Sequence, residues 1–430
     1  MSHAIPLIHE YLRASAARLP WKEALIAGNC RYTYRELHES ATALARTLAR
    51  HGVRRGDRVA ILCENGHQAV IAFWAALEAD AIVVPLDPES KSDELTVVLD
   101  DARPTALVSQ APLAPGFAWA ARTSRHLRSI IVAGEVEADL GIADRKLLRW
   151  SDAIDERDSS AELHRNRAID IDVAAIVYAQ GATEPRGVML THRNVTSAVS
   201  SLTSHLSLSQ DDVFFDALPL WLENGLTQMI AAFAVGARLV LGQGLLRAEG
   251  ILESILAEAV SGLPGDPAMF ASLVELTSPQ ALVLPSVRWL TSIGAPLSVA
   301  QARGLQATFP KARVYSVFGT DECNLCLCLP ADDIERKPGS IGRALPNIEA
   351  LVIDENGDAV PAGGTGRLVI RGGAVTSGYW GKPGLADAHL RPGRIGGERY
   401  LDTGERASMD SEGYVRTSGG SNAPSGHRLA

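Results

Sequence analysis

Residues 178–188 read YAQGATEPRGV and lie between the apolar run VAAIV and the stretch THRNVTSAVSSL. A strand, a Gly/Thr-bearing turn and a helix start in that order offer backbone N–H groups and a hydroxyl to an anion. The stretch is not a G-x-x-x-x-G-K-[ST] loop, because no Lys-Ser/Thr pair follows Gly187. Gly- and Pro-rich joints also occur in α/β proteins with no ligand, so an ordinary turn is the competing reading. Cys323, Cys326 and Cys328 in ECNLCLCLP invite a metal, but no second Cys or His pair stands nearby. As a strand the same run puts Cys326 and Cys328 on one face and Leu325, Leu327 and Leu329 on the other, which reads as small buried residues. No G-x-G-x-x-G follows the first strand, and GGTG at 363–366 reads as a hairpin turn, which argues against a dinucleotide-binding oxidoreductase. His192 and Asn194 in LTHRNV read as helix-capping residues, with a catalytic role as the alternative, and His67 in ENGHQAV reads as a surface residue at a helix start.

The elements that must position these residues follow from periodicity. TYRELHESATALARTLARHG places Leu37, Ala41, Leu44, Ala45 and Leu48 at helical spacing and stops at Gly52. GDRVAIL, AIVVPLD and TALVS read as strands separated by the helices HQAVIAFWAALEA and SDELTVVLDDA. This alternation implies parallel β-α-β winding. It weakens over residues 110–170, where SIIVAG is the clearest strand, and resumes from VFFDALPL through RVYSVFG. From residue 339 short strands are separated by Asn-Gly and Gly-Gly turns.

Composition bounds the function. A chain of 430 residues is expected to form two or three lobes. Its net charge of −9 gives no basic excess to displace counterions, so a general nucleic-acid binder is disfavoured. No basic segment followed by a long apolar run opens the chain, and charges interrupt every apolar stretch before it could span a bilayer. With five cysteines in a chain of this size, a cytoplasmic location is expected.

Several stretches occur in one fixed order: GDRVAILCENGHQAVIAFWAALEADAIVVPLDP, the 178–188 loop, DALPLWLENGL, SIGAPLS, YSVFGTDE, PGSIGRALPN, GRLVIRGGAVTSGYW and YLDTGE. Together they resemble the AMP-forming adenylating superfamily of acyl-CoA synthetases, acyl-AMP ligases and peptide-synthetase adenylation domains. The resemblance covers residues from about 20 to about 418. It implies an α/β fold corresponding to the large N-terminal part of the adenylating enzymes, without their small C-terminal subdomain. The expected divisions are α/β subdomains at 1–170 and 171–338, a β-rich subdomain at 339–418 and a coil tail at 419–430.

The resemblance further implies that a carboxylic acid and ATP give acyl-AMP and pyrophosphate, with a thiol of CoA or a carrier protein then taking the acyl group. Such chemistry needs donors for triphosphate charge, Mg2+ to neutralise it and a clamp on the ribose. By resemblance Gly181, Thr183 and Gly187 belong to the phosphate loop, and Gly294 and Ala295 line the nucleotide and acyl sites. Phe318 flanks the adenine, Gly319 and Asp321 complete its motif, Glu322 holds Mg2+, and Glu405 takes the ribose. Trp221, Leu222 and Gly225 are expected at the acyl pocket, with plain core packing as the alternative for the first two. Thr183 and Glu322 are the expected catalytic residues.

Four departures from the family pattern coincide, and three of them fall on groups that handle phosphate charge. Gln180 stands where Ser is usual, the loop is one residue short beside Glu184, and Asp321 replaces a Thr that meets the α-phosphate. No lysine follows Lys382, so a separate protein is expected to supply the C-terminal function. Two like charges about 4 Å apart near a protein surface repel by roughly 4 kcal/mol, which corresponds to about a thousandfold in nucleotide affinity. Two readings follow: an acyl-activating ligase with a weakened ATP site, or an impaired or repurposed member that binds an acyl group, an adenylate or a protein in the old cleft.

Overall fold

The computed structural model describes residues 7–135, 146–155, 167–178, 184–242, 247–278, 282–392 and 399–418. The chain divides into two compact units. The first comprises Met1–Thr196, Pro219–Leu226 and Tyr379–Gly381; the second comprises Ser197–Leu218, Thr227–Gly378 and Lys382–Ala430.

In the first unit the alternation produces a mixed sheet. Its strands run in the order Gly187–Thr191, Val173–Tyr178, Ile82–Leu86, Arg58–Leu62, Ala106–Gln110, Ser129–Ala133 and Lys146–Arg149. All neighbours are parallel except the first pair. Parallel strands need a crossover, and the helices His67–Glu78 and Ser92–Ala102 supply two of them. The helix Tyr34–Arg50 begins at the N-cap Thr33, whose hydroxyl accepts from the Glu36 amide while Glu36 reaches back to the Thr33 amide. Leu37, Ala41, Leu44, Ala45 and Leu48 are all fully buried, as their spacing predicts. The unit runs past residue 170 because Val173–Tyr178 adds to the sheet beside Ile82–Leu86, with Val83 opposite Ala175.

The sequence reading of 178–188 as a strand–turn–helix joint is corrected here. Gly187–Thr191 is a strand antiparallel to Val173–Tyr178, so the loop joins the two arms of a hairpin. The helix starts at His192, five residues beyond the loop's last glycine, and its first amides are already taken, His192 by the Asp172 carbonyl at 3.0 Å, Arg193 by the Asp170 carbonyl at 2.7 Å and Asn194 by the Thr191 hydroxyl at 3.1 Å. The hairpin wins because Val188 and Leu190 alternate inward and are buried, a period of two rather than a helical one.

In the second unit, parallel strands run in the order Arg238–Leu241, Val213–Asp216, Gly262–Gly265, Trp289–Ile293 and Arg313–Thr320. From there the sheet continues antiparallel through Asn324–Pro330, Ser340–Ala344, Val415–Thr417, Arg399–Met409, Thr365–Gly372 and Ile348–Ile353. Leu327 opposite Ala344 and Cys328 opposite Arg343 make the join. Both faces of Asn324–Pro330 are buried up to Leu329, so Cys326 and Cys328 sit inside the sheet as small strand residues.

Candidate functional site

In the second unit most of the expected nucleotide residues gather where parallel strands end, the edge at which α/β sheets present ligand sites. Trp289–Ile293 and Arg313–Thr320 run parallel with Ile293 opposite Val317, and Gly294 and Phe318 each come one residue later. Gly294 has φ +107° and open space where a side chain would stand. Ala295 is exposed and Phe318 is half-buried. A planar ring beside an unfilled glycine position is a platform on which a second flat ring can stack.

Past Phe318 the chain turns back on itself. A register shift at Phe318 and Gly319 brings Gly319 opposite Leu325, and a side chain on Gly319 would come within 1.9 Å of the Asn324 carbonyl oxygen. The glycine is therefore demanded by a close approach of backbone. Asn324 closes the turn with φ +54°, its side-chain oxygen accepting from the Leu325 amide at 2.7 Å and its amide donating to Thr227. The Thr376 amide donates to the Glu322 carbonyl at 2.6 Å. Asp321 and Glu322 are thus held on a pinned hairpin turn, at 4% and 8% exposure. Their oxygen donors have the chemistry that Mg2+ takes.

Thr403, Gly404 and Glu405 form a bulge. Arg367 opposes Arg406 and Val369 opposes Asp402, so three residues on one strand face the single Leu368 on the other. Gly404 has φ +75°, Thr403 donates to the Leu368 carbonyl at 2.9 Å, and the Glu405 amide donates back to the Thr403 hydroxyl at 3.2 Å. Bulges re-aim side chains, and this one carries half-buried Glu405 out of the ladder. Its neighbour Asp402 is committed elsewhere, accepting from Arg367 at 2.5 Å and pairing with Arg391 at 2.9 Å.

The first unit holds the other expected residues. Gly187 lies opposite Tyr178, and a side chain there would meet Ile176 at 2.6 Å and the Tyr178 ring at 3.0 Å. The Gly187 carbonyl accepts from the Trp380 amide at 2.8 Å. The indole of Trp380 donates to the Asp101 carbonyl at 3.3 Å, while Tyr178 donates to the Asp101 carboxylate at 2.6 Å. Burial, followed by this carboxylate, raises the Tyr178 pKa and keeps the phenol protonated. Leu222 and Gly225 are buried at the start of the helix Glu223–Val235, and Trp221 just before it is half-buried. Gly181 and Thr183, with Gln180, lie outside the described residues, as does the expected tail at 419–430.

Two histidine readings change. The cap of His192–Leu206 is Thr191: its amide and hydroxyl donate to the Asn194 side chain at 2.9 and 2.7 Å, and its hydroxyl accepts from the Asn194 amide at 3.1 Å. His192 accepts at Nδ1 from the Ile8 amide at 3.2 Å and lies edge-on to His9. Burial lowers its pKa to about 4, and burial with the nearby His192 and Arg13 lowers that of His9 to about 3. His67 opens its helix as expected but is half-buried against the Tyr32 ring at 5.6 Å, because the strand Cys30–Thr33 covers it.

The family model of AMP-binding enzymes matches residues 12–380. The chain belongs to the AMP-binding enzyme family. Within this family it is 29% identical over 420 residues to the acyl-CoA ligase sidI of Aspergillus fumigatus, covering 93% of this chain and 69% of that protein. It is 26% identical over 415 residues to bacitracin synthase 1 of Bacillus licheniformis, and there it spans only 7% of the relative's length. The N-terminal domain of FACL13 from Mycobacterium tuberculosis superposes with a TM-score of 0.84 at 24% identity, covering 96% of this chain and 99% of that one. That likeness bears out the expected α/β fold, the large N-terminal part of the adenylating enzymes. AMP-binding enzymes in general use ATP with Mg2+. Among the described residues no helix is long and apolar enough to cross a membrane.

Several buried polar residues of the second unit carry no motif. Asp216, Gln228 and Thr291 are buried polar residues inside otherwise apolar elements, VFFD, ENGLTQMIAAFAV and WLTSI. A polar residue in an apolar run is the one signal from which they could have been picked out.

Proposed function

We propose that this AMP-binding enzyme activates a carboxylic acid as its acyl adenylate and passes the acyl group to a thiol of CoA or of a carrier protein. The observation that carries the reading is that Gly294 and Phe318 each follow directly on Ile293 and Val317, which pair on neighbouring strands, continued by the pinned turn that holds Glu322. In this reading Phe318 and Gly294 receive the adenine, with Ala295 and Gly319 beside them, and Glu405 on its bulge accepts from the ribose hydroxyls. Glu322 holds Mg2+, which would neutralise phosphate charge when bound. Gly181, Thr183 and Gly187 serve the phosphates, and Trp221, Leu222 and Gly225 wall the acid.

One observation favours a second reading, in which the chain binds acids or adenylates but handles ATP weakly. Asp321 is only 4% exposed on the same turn as Glu322, so its carboxylate cannot be dispersed into bulk water. Pyrophosphate exchange over a panel of fatty, aryl and amino acids, run beside an ATP titration, separates the two. Exchange that vanishes in Glu322→Gln supports the ligase. No ATP binding at millimolar concentration sinks the ligase reading for this chain.

A further inference from the structure

Among the described residues of the second unit, buried polar atoms without a hydrogen-bond partner occur on both faces of the parallel sheet, Ser292 on one and Asp216, Trp289 and Thr291 on the other. Phe214 stands opposite Gly262, and Gly262 opposite Trp289. The Phe214 and Trp289 rings meet edge-to-face at 4.9 Å across that glycine, whose position the indole covers. All three therefore share a face, and residues two further along each strand share it as well. Those are Asp216, Pro264 and Thr291, with Pro264 directly opposite Thr291. Asp216 and Thr291 thus flank a proline that has no side-chain hydrogen-bonding group, above a floor made by two aromatic rings.

The Asp216 carboxyl is wholly buried. Its Oδ1 accepts from the Leu218 amide at 3.0 Å and its Oδ2 has no partner; the Thr291 hydroxyl, 1% exposed, has none either. The helix Glu223–Val235 crosses from Val213–Asp216 to its neighbour Arg238–Leu241, against the direction of the later crossovers. Right-handed connection then places it on the opposite face from the helix Pro267–Thr277. That helix covers the Gly265 face through Met269, and Gly265, adjacent to Pro264, points the other way from it. The helix from Thr227 to Val235 is therefore on the same face of the sheet as Asp216 and Thr291. On it, Gln228 is wholly buried with neither amide atom partnered.

We propose that Asp216, Gln228 and Thr291 recognise a hydroxyl or carboxamide on the tail of the acid that this chain takes. The inference rests on the acyl-activating reading for its ligand class and adds the substrate's polarity. Buried unpartnered polar groups are costly in an empty fold and are met by a ligand or by water. Burial pushes the Asp216 carboxyl well above the usual carboxylate range, which favours its protonated, donating form. The amide and the threonine hydroxyl each donate and accept. A hydroxyl or carboxamide answers that mixed set, whereas an ammonium group only donates and a plain alkyl tail leaves every atom unmet.

The test is calorimetric titration of the whole chain with chain-length series of ω-hydroxy, ω-carbamoyl, ω-amino and plain alkanoic acids. Hydroxy or carbamoyl acids are expected to bind at least about tenfold more tightly than the alkanoic acid of equal length, the scale set by leaving buried polar groups unpaired. Thr291→Val and Gln228→Leu, which remove unpartnered atoms rather than made bonds, should reduce that ratio towards one while alkanoic acids still bind. Equal or tighter binding of the alkanoic acids, tighter binding of the amino acids, or no binding by any series overturns the proposal, the last outcome meaning that water alone meets these atoms. Should a variant not fold, the wild-type series decides by itself. Polar preference without pyrophosphate exchange keeps this inference and sinks the ligase reading; exchange with alkanoic acids alone does the reverse.

Discussion

Tyr178 donates its phenolic hydrogen to Asp101 across 2.6 Å and so ties the strand that leads into the 178–188 loop to the helix Ser92–Ala102. The same ring lies over Gly187, so one residue anchors both arms of the hairpin. Tyr178→Phe keeps the ring contact and removes the hydrogen bond to a carboxylate. The expected loss is about 1.5–3 kcal/mol of stability, read from urea unfolding. A loss below about 0.5 kcal/mol would show that the bond adds nothing.

Gly319 and Gly294 should respond to alanine for different reasons. Gly319→Ala drives a methyl to within 1.9 Å of the Asn324 carbonyl oxygen, a backbone atom that cannot step aside without opening the turn. It should cost about 3 kcal/mol, near the top of the overpacking range, and reduce ATP binding with it. Gly294→Ala meets no atom within 4 Å but must hold φ +107°, a strain of about 1–3 kcal/mol with no clash. Unfolding curves that rank the two the other way would contradict the hairpin geometry.

Acid should destabilise the first unit through His9 and His192. An unfolded histidine takes a proton near pH 6.5, whereas these hold pKa values of about 3 and about 4 in the fold. The unfolded chain therefore binds more protons in between, and stability falls as pH drops from about 6.5 towards 4 and is complete above that window. Each histidine contributes up to about 1.4 kcal/mol per pH unit. Asp172 and Asp170 near His192 oppose its shift, and Arg13 reinforces that of His9. His192→Asn should flatten the profile measured by urea unfolding between pH 7.5 and 5, and an unchanged slope would remove His192 from the account.

Asp321→Thr tests the charge beside the phosphates. Removing a buried like charge should tighten ATP by at least about tenfold, with about a thousandfold as the limit from the full repulsion. Equilibrium titration with ATP and Mg2+ reads it directly. Unchanged affinity would mean that Asp321 does not face the nucleotide.

The fold was largely legible because its parts obey single periods. The helix read from Leu37, Ala41, Leu44 and Leu48 and the strands around Val59, Val83 and Leu107 lie where those residues predict, since one buried face dictates each pattern. Gly187–Thr191 was misread because five residues with two inward side chains suit a strand or a helix start equally, and only pairing with Val173–Tyr178 decides. The expected residues at Gly294, Phe318 and Glu322 were visible through motif order. The unpartnered atoms of Asp216, Gln228 and Thr291 were not, because the segments that carry them come onto one face only through the crossovers.

The bulge at Thr403–Glu405 inserts a surplus of two residues, an even number. Side chains alternate with a period of two, so the strand leaves the bulge in the same phase in which it entered, with Leu401 and Ala407 both buried. Loop length at this point is therefore quantised. Removing two residues would only straighten the strand, whereas removing or adding one would turn Arg406–Met409 inside out and expose Ala407.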